Sequence, residues 1–113
     1  MPSHISNFKI LAELDTPPSP YTVIVALDVT TMAPGGKNEA KQFKISLQRE
    51  KRPGAHRWII DPEMSVENAA FMGEGLDKDA RFTKLLGGID SLVEQGLMSK
   101  YLADQAAGAL RFH

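Results

Sequence analysis

The feature that most constrains this chain is a change of hydrophobic period at Asp61-Pro62. Before it, apolar residues recur at alternate positions, the repeat of a strand with one buried face. After it they recur at three- and four-residue steps, the repeat of an amphipathic helix. Strands grouped first and helices grouped second indicate an α+β fold.

Four runs carry the strand repeat. Phe8, Ile10, Ala12 and Leu14 alternate with Lys9, Leu11 and Glu13. Tyr21, Val23, Val25, Leu27 and Val29 follow, with Thr22, Ile24, Ala26, Asp28 and Thr30 on the other face. Phe43, Ile45 and Leu47 then alternate with Gln42, Lys44, Ser46 and Gln48. The fourth run is short, about 57–60, with Trp58 and Ile60 inward. The joins are rich in proline and glycine, which end ladders and favour turns. Loops of hairpin length make the neighbours antiparallel. The reading is a four-stranded antiparallel meander, order 1-2-3-4, with two or three C-terminal helices packed on one face.

In the second half, Ser65 is suited to cap a helix over 66–72, with Glu67 in its first turn. Asp77 is placed to cap a longer helix whose stripe is Phe82, Leu85, Leu86, Ile89, Leu92, Val93 and Leu97. Gly87-Gly88 inside that stripe predicts a kink or a close approach of the helix to the sheet. Gly96 suits the left-handed position that closes this helix, and Ser99 is placed to cap a last one reaching about Leu110. The chain is read as one domain over 1–113: a flexible N-terminus over 1–7, sheet over 8–61, helices over 65–111.

Composition removes several chemistries. The absence of cysteine excludes disulfides, thiol catalysis and thiolate metal sites. A net charge of -1 supplies no global field for nucleic acid or an anionic membrane. No run approaches the ~20 apolar residues of a membrane span, so the expected location is the cytoplasm, or a host's cytoplasm. His4, His56 and His113 share no metal-ligand spacing, and neither a metal nor a cofactor is expected. Gly35-Gly36-Lys37 lies between strands and Gly73-Glu74-Gly75 between helices. Both read as turns rather than phosphate loops.

Three sets of residues remain as candidates. Leu11, Ile24 and Ile59 put apolar side chains on the otherwise polar sheet face. Arg49, Lys51, Arg52 and Arg57, with His56 among them, form a cationic hairpin beside Trp58, a chemistry suited to an acidic peptide, a phosphate or single-stranded nucleic acid. Asp28, inside the strongest strand, would serve as a pocket acid if its face were buried.

The stretch YTVIVALDVTTMAPGGKNEAKQFKISLQREKRPGAHRWII, residues 21–60, resembles the curved sheet of the nuclear transport factor 2-like (cystatin-like) superfamily. The likeness lies in a valine-rich strand, a glycine-containing loop, a strand ending in Arg-Glu, a turn, and Trp-Ile-Ile. It implies a curved antiparallel sheet. That superfamily places its helices before the sheet, whereas here they follow. Neither its pocket nor any catalytic residue is carried over, and fold likeness would not assign a function.

The leading expectation is therefore a non-enzymatic protein–protein interaction, accessory or inhibitor module acting through a sheet face or edge, with a protein partner or a second copy forming a homodimer. The first alternative is a small-molecule-binding protein or enzyme with a site between sheet and helices, using Asp28, His56 or Tyr21. The second is a nucleic-acid binder using the basic hairpin over 49–57.

Overall fold

The structure, a computed structural model, describes residues 3–16, 21–32, 35–36, 38–52 and 55–106. The side chains of Ser3, Met32, Lys51, Arg52, Ala55 and His56 lie outside that description. The sheet is built on β2 (Tyr21–Met32), whose alternating β-branched residues suit a half-buried strand. β2 pairs antiparallel with β1 (Ser3–Leu14) on one side and with β3 (Asn38–Arg52) on the other. The short β4 (Ala55–Ile59) pairs with β3 over Gln48–Arg52, so the order is β1-β2-β3-β4. Three helices follow: α1 (Val66–Gly73), α2 (Ala80–Glu94) and α3 (Met98–Ala106), with a 3-10 turn, Leu76–Lys78, between the first two. This is the α+β meander with C-terminal helices that the change of period implies.

All three helices contribute to a core on one face of the sheet. Val23, Val25 and Leu27 of β2, with Ile45 and Leu47 of β3, are fully buried. They meet Phe71 of α1, Phe82 and Ile89 of α2, and Met98 and Tyr101 of α3. Trp58 of β4 and Ile60, just after it, pack against this core, as their parity indicates. The opposite sheet face has no helix over it among the described residues.

β1 departs most from the sequence reading. Residues 3–7 are not a flexible tail: Ser3 to Ser6 pair with Thr31 to Asp28. The alternation is hidden by two register shifts, between Ser6 and Lys9 and between Ile10 and Ala12. At the first, Asn7 takes a left-handed φ of 51°, a conformation asparagine tolerates better than most residues. At the second, Leu11 is the extra residue. Every side chain beyond it changes face. Glu13, read as outward, lies opposite Val23 on the core side, while Leu14, read as inward, is 52 % exposed.

The helix ends follow capping chemistry. The Ser65 hydroxyl accepts from the Asn68 amide at 3.0 Å, as expected for a cap. Asp77 does not cap α2, because the 3-10 turn takes it up. Asp79 does so instead, accepting from the Arg81 amide at 2.8 Å. α2 closes on Gly96, φ 67°, where Leu97 N donates to Leu92 O and Gly96 N to Val93 O. These two hydrogen bonds are those of a Schellman end. Ser99 is not the cap of α3 but lies within its first turn, and its hydroxyl donates to Glu13.

Gly87 does not mark a close approach. It is exposed, and a Cβ placed there would meet no heavy atom within 4 Å. Its cost is then conformational entropy alone. Gly87→Ala is expected to raise stability by about 1 kcal/mol and the thermal midpoint by about 4 °C, measured by melting followed by circular dichroism. An unchanged or lowered midpoint would show that α2 uses the glycine for packing.

Candidate binding surface

Each predicted site residue whose side chain is described has a definite place. Asp28 does not lie between sheet and helices. It shares the uncovered face with Ile24 and Ala26, because the helices cover the odd-numbered face of β2. There it stands opposite Gln42 and Ser6 and accepts a 2.8 Å hydrogen bond from Asn7 Nδ2. The bulge that turns Asn7 thus holds the carboxylate, which is an architectural role.

The basic hairpin is also divided. Arg49 has the parity of Phe43, Ile45 and Leu47 and turns toward α2, not outward with its neighbours. Its Nε donates to Asp90 at 2.8 Å and its Nη2 to Glu94 at 2.5 Å. With its side chain only 12 % exposed, it belongs to the sheet–helix junction. Burial pulls the Arg49 guanidinium down, but the two carboxylates outweigh this and hold it above its ordinary value. Arg57 points the other way, exposed, with Nη2 3.9 Å from Glu50. The side chains of Lys51, Arg52 and His56 lie outside the described residues.

A polar cluster that the sequence reading missed surrounds Arg49. Tyr21 stands opposite Arg49, and its hydroxyl donates to Glu13 Oε2, while Ser99 donates to Glu13 Oε1. Glu13 therefore ties the β1–β2 pair to α3, as Arg49 ties β3 to α2. Adjacent apolar residues such as Ile10-Leu11 do not signal the bulge, because Val23 to Leu27 are all apolar and pair with β3 without a shift. The cluster fastens layers together. A shallow hollow of about 140 Å³ elsewhere, lined by Leu92, Leu97, Lys100, Tyr101 and Asp104, includes none of its members. No group of three or more His, Asp or Glu side chains converges on a metal-sized space among the described residues.

Burial, then the bond to Glu13 and the charges of Glu13 and Asp15, push the Tyr21 phenol far above its ordinary value, against a smaller opposing effect of Arg49. A raised phenol is neutral in the folded chain after the unfolded one has begun to ionise. Its stabilisation is complete below pH ~10 and is lost as pH climbs from there toward the folded value. Tyr21→Phe is expected to flatten this alkaline loss, read from urea midpoints between pH 8 and 11. An alkaline limb identical to the wild type would place the phenol in water.

The uncovered sheet face is a further surface, with no described helix packed on it. Its cross-strand rows follow from the register. Leu14, Thr22, Gln48 and Ile59 form one row; Ala12, Ile24 and Ser46 the next; then Lys9, Ala26 and Lys44; then Ser6, Asp28 and Gln42. Leu14 is 52 % and Leu11 40 % exposed, and Ile24 and Ile59 are partly exposed. One end of the face thus carries its large apolar side chains, interspersed with Thr22, Gln48 and Ser46, and the two lysines of the third row border it. No described helix is long and apolar enough to cross a membrane. Comparison with protein-family models, with curated proteins and with solved structures found no match to this chain.

Proposed function

We propose that this chain is a binding module that holds a protein partner on its uncovered sheet face. The observation that carries this reading is the apolar end of that face, where Leu14, Ile24 and Ile59 stand out from a sheet whose other side carries the core shared with three helices. A solvent-facing sheet surface ordinarily alternates to polar residues. Apolar side chains gathered on it mark a contact surface rather than a core.

Charge and size narrow the partner. Lys9 and Lys44 border the apolar rows, so the matching surface is apolar with acidic residues to one side. The strands, 12, 12, 15 and 5 residues long and about 4.8 Å apart, give a flat area on the order of 700 Å². That is close to one partner's share of a standard-size interface and below that of an obligate one. The internal engagement of Arg49 and the outward position of Asp28 weigh against the nucleic-acid and pocket-enzyme alternatives.

Paired substitution tests the reading. Leu14→Lys with Ile24→Thr keeps the strand and removes the apolar end. In quantitative capture from the source cell, the double variant is expected to lose proteins that the wild type retains, by tenfold or more on the scale of two lost apolar contacts. Identical capture by both would overturn the reading.

A further inference from the structure

We infer that the free half of the β3 edge pairs antiparallel with the same segment of a second copy, in the register that sets Glu39 against Lys41. This surface is distinct from the uncovered face, and the inference does not depend on that reading. β3 is fifteen residues long, but β4 covers its outer edge only at Gln48–Arg52. Further back, side chains of α1 occupy the edge. Glu67 accepts from Lys44 N at 2.5 Å, and Asn68 accepts from Ser46 N at 3.0 Å and donates to Ser46 O at 3.3 Å. Beyond Lys44, over Asn38–Gln42, no described element lies beside this edge, and all five residues are exposed.

Strand geometry fixes which groups are offered. Lys44 and Ser46 direct their amides to this side, so by alternation Asn38, Ala40 and Gln42 do the same. Such a row of unpaired peptide groups is a template for another strand. The segment is also self-complementary. About a two-fold axis at Ala40, hydrogen-bonded pairs form between the two Ala40 residues and between Asn38 and Gln42. Glu39 then faces Lys41 of the second copy on each side of the axis. Registers centred on Glu39 or on Lys41 would oppose like charges, which destabilises a cross-strand pair. Pairing stops where α1 occupies the edge, so the contact is short and the dimer reversible.

The test is sedimentation equilibrium of the full chain, up to about 1 mM to reach weak association. Wild type is expected to dimerise reversibly, with Ala40 and Gln42 amides exchanging more slowly as concentration rises. Glu39→Lys and Lys41→Glu should each weaken the dimer about fivefold or more, and combining them should restore it to within about twofold. Leu14→Lys with Ile24→Thr should leave it unchanged. A chain monomeric throughout, a dimer insensitive to both charge reversals, or one lost only in the Leu14/Ile24 variant would overturn the proposal. All four positions are exposed or partly exposed, and circular dichroism checks that each variant is folded.

Discussion

Phe71→Ala is expected to cost about 3–5 kcal/mol, the range for removing a buried aromatic ring. Phe71 is 0 % exposed and is the apolar residue by which α1 enters the core. Its ring meets Phe43 of β3 edge-on at 5.6 Å and Phe82 of α2 at 4.9 Å. It therefore joins the sheet, the first helix and the second, and no neighbour can close the space without moving an element. A chain of this size holds about 5–15 kcal/mol in total, so the variant should unfold at much lower urea with an unchanged slope. Phe71→Leu, which keeps most of the volume, should cost less than half as much. Equal losses for the two would mean that α1 rearranges on the sheet.

Asn68→Leu is expected to cost about 2–4 kcal/mol, although it replaces a polar residue by an apolar one in the core. Asn68 is completely buried. Its side-chain oxygen accepts from Ser46 N, and its amide donates to Ser46 O and to Asp61 O at 3.0 Å. It thus satisfies β3 in place of a neighbouring strand and fastens the chain where sheet gives way to helix. Leucine would leave three backbone groups without these bonds. The amide of Ser46 should then exchange much faster than in the wild type, and the opened edge should make the variant prone to aggregate. Unchanged exchange at Ser46 would show that the edge does not depend on Asn68.

Much of the fold was legible because its cause is local. The parity of Val23, Val25, Leu27, Phe43, Ile45 and Leu47 sets the core face, and each is buried. Ser65 and Gly96 were readable as helix ends because their chemistry acts within one turn. The two bulges were not, since strict alternation assumes one residue per rung. The shift at Leu11 alone exchanged the sides of Glu13 and Leu14. For Arg49, parity did point inward, but its flanking cations read as a single loop tip. Only the third dimension supplies Asp90 and Glu94, 41 and 45 residues away. Asn68 gave no signal, because an asparagine on a short helix reads as solvated until the strand edge beside it is known.

Of the three surface residues singled out for the sheet face, Ile24 and Ile59 lie in its rows, and Leu11 sits at the bulge beside them. The same bulge adds Leu14. The surface is larger than the sequence indicated, because one irregularity in β1 moved a leucine onto it.

Lysine labelling of the chain in extract from its source cell tests the proposed role of this face most directly. Lys9 and Lys44 are exposed on the uncovered face, while Lys84 and Lys100 are exposed on α2 and α3. The expected result is slower labelling of Lys9 and Lys44 in extract than in buffer, with Lys84 and Lys100 unchanged. Unchanged labelling at Lys9 and Lys44, or protection confined to Lys84 and Lys100, would contradict it.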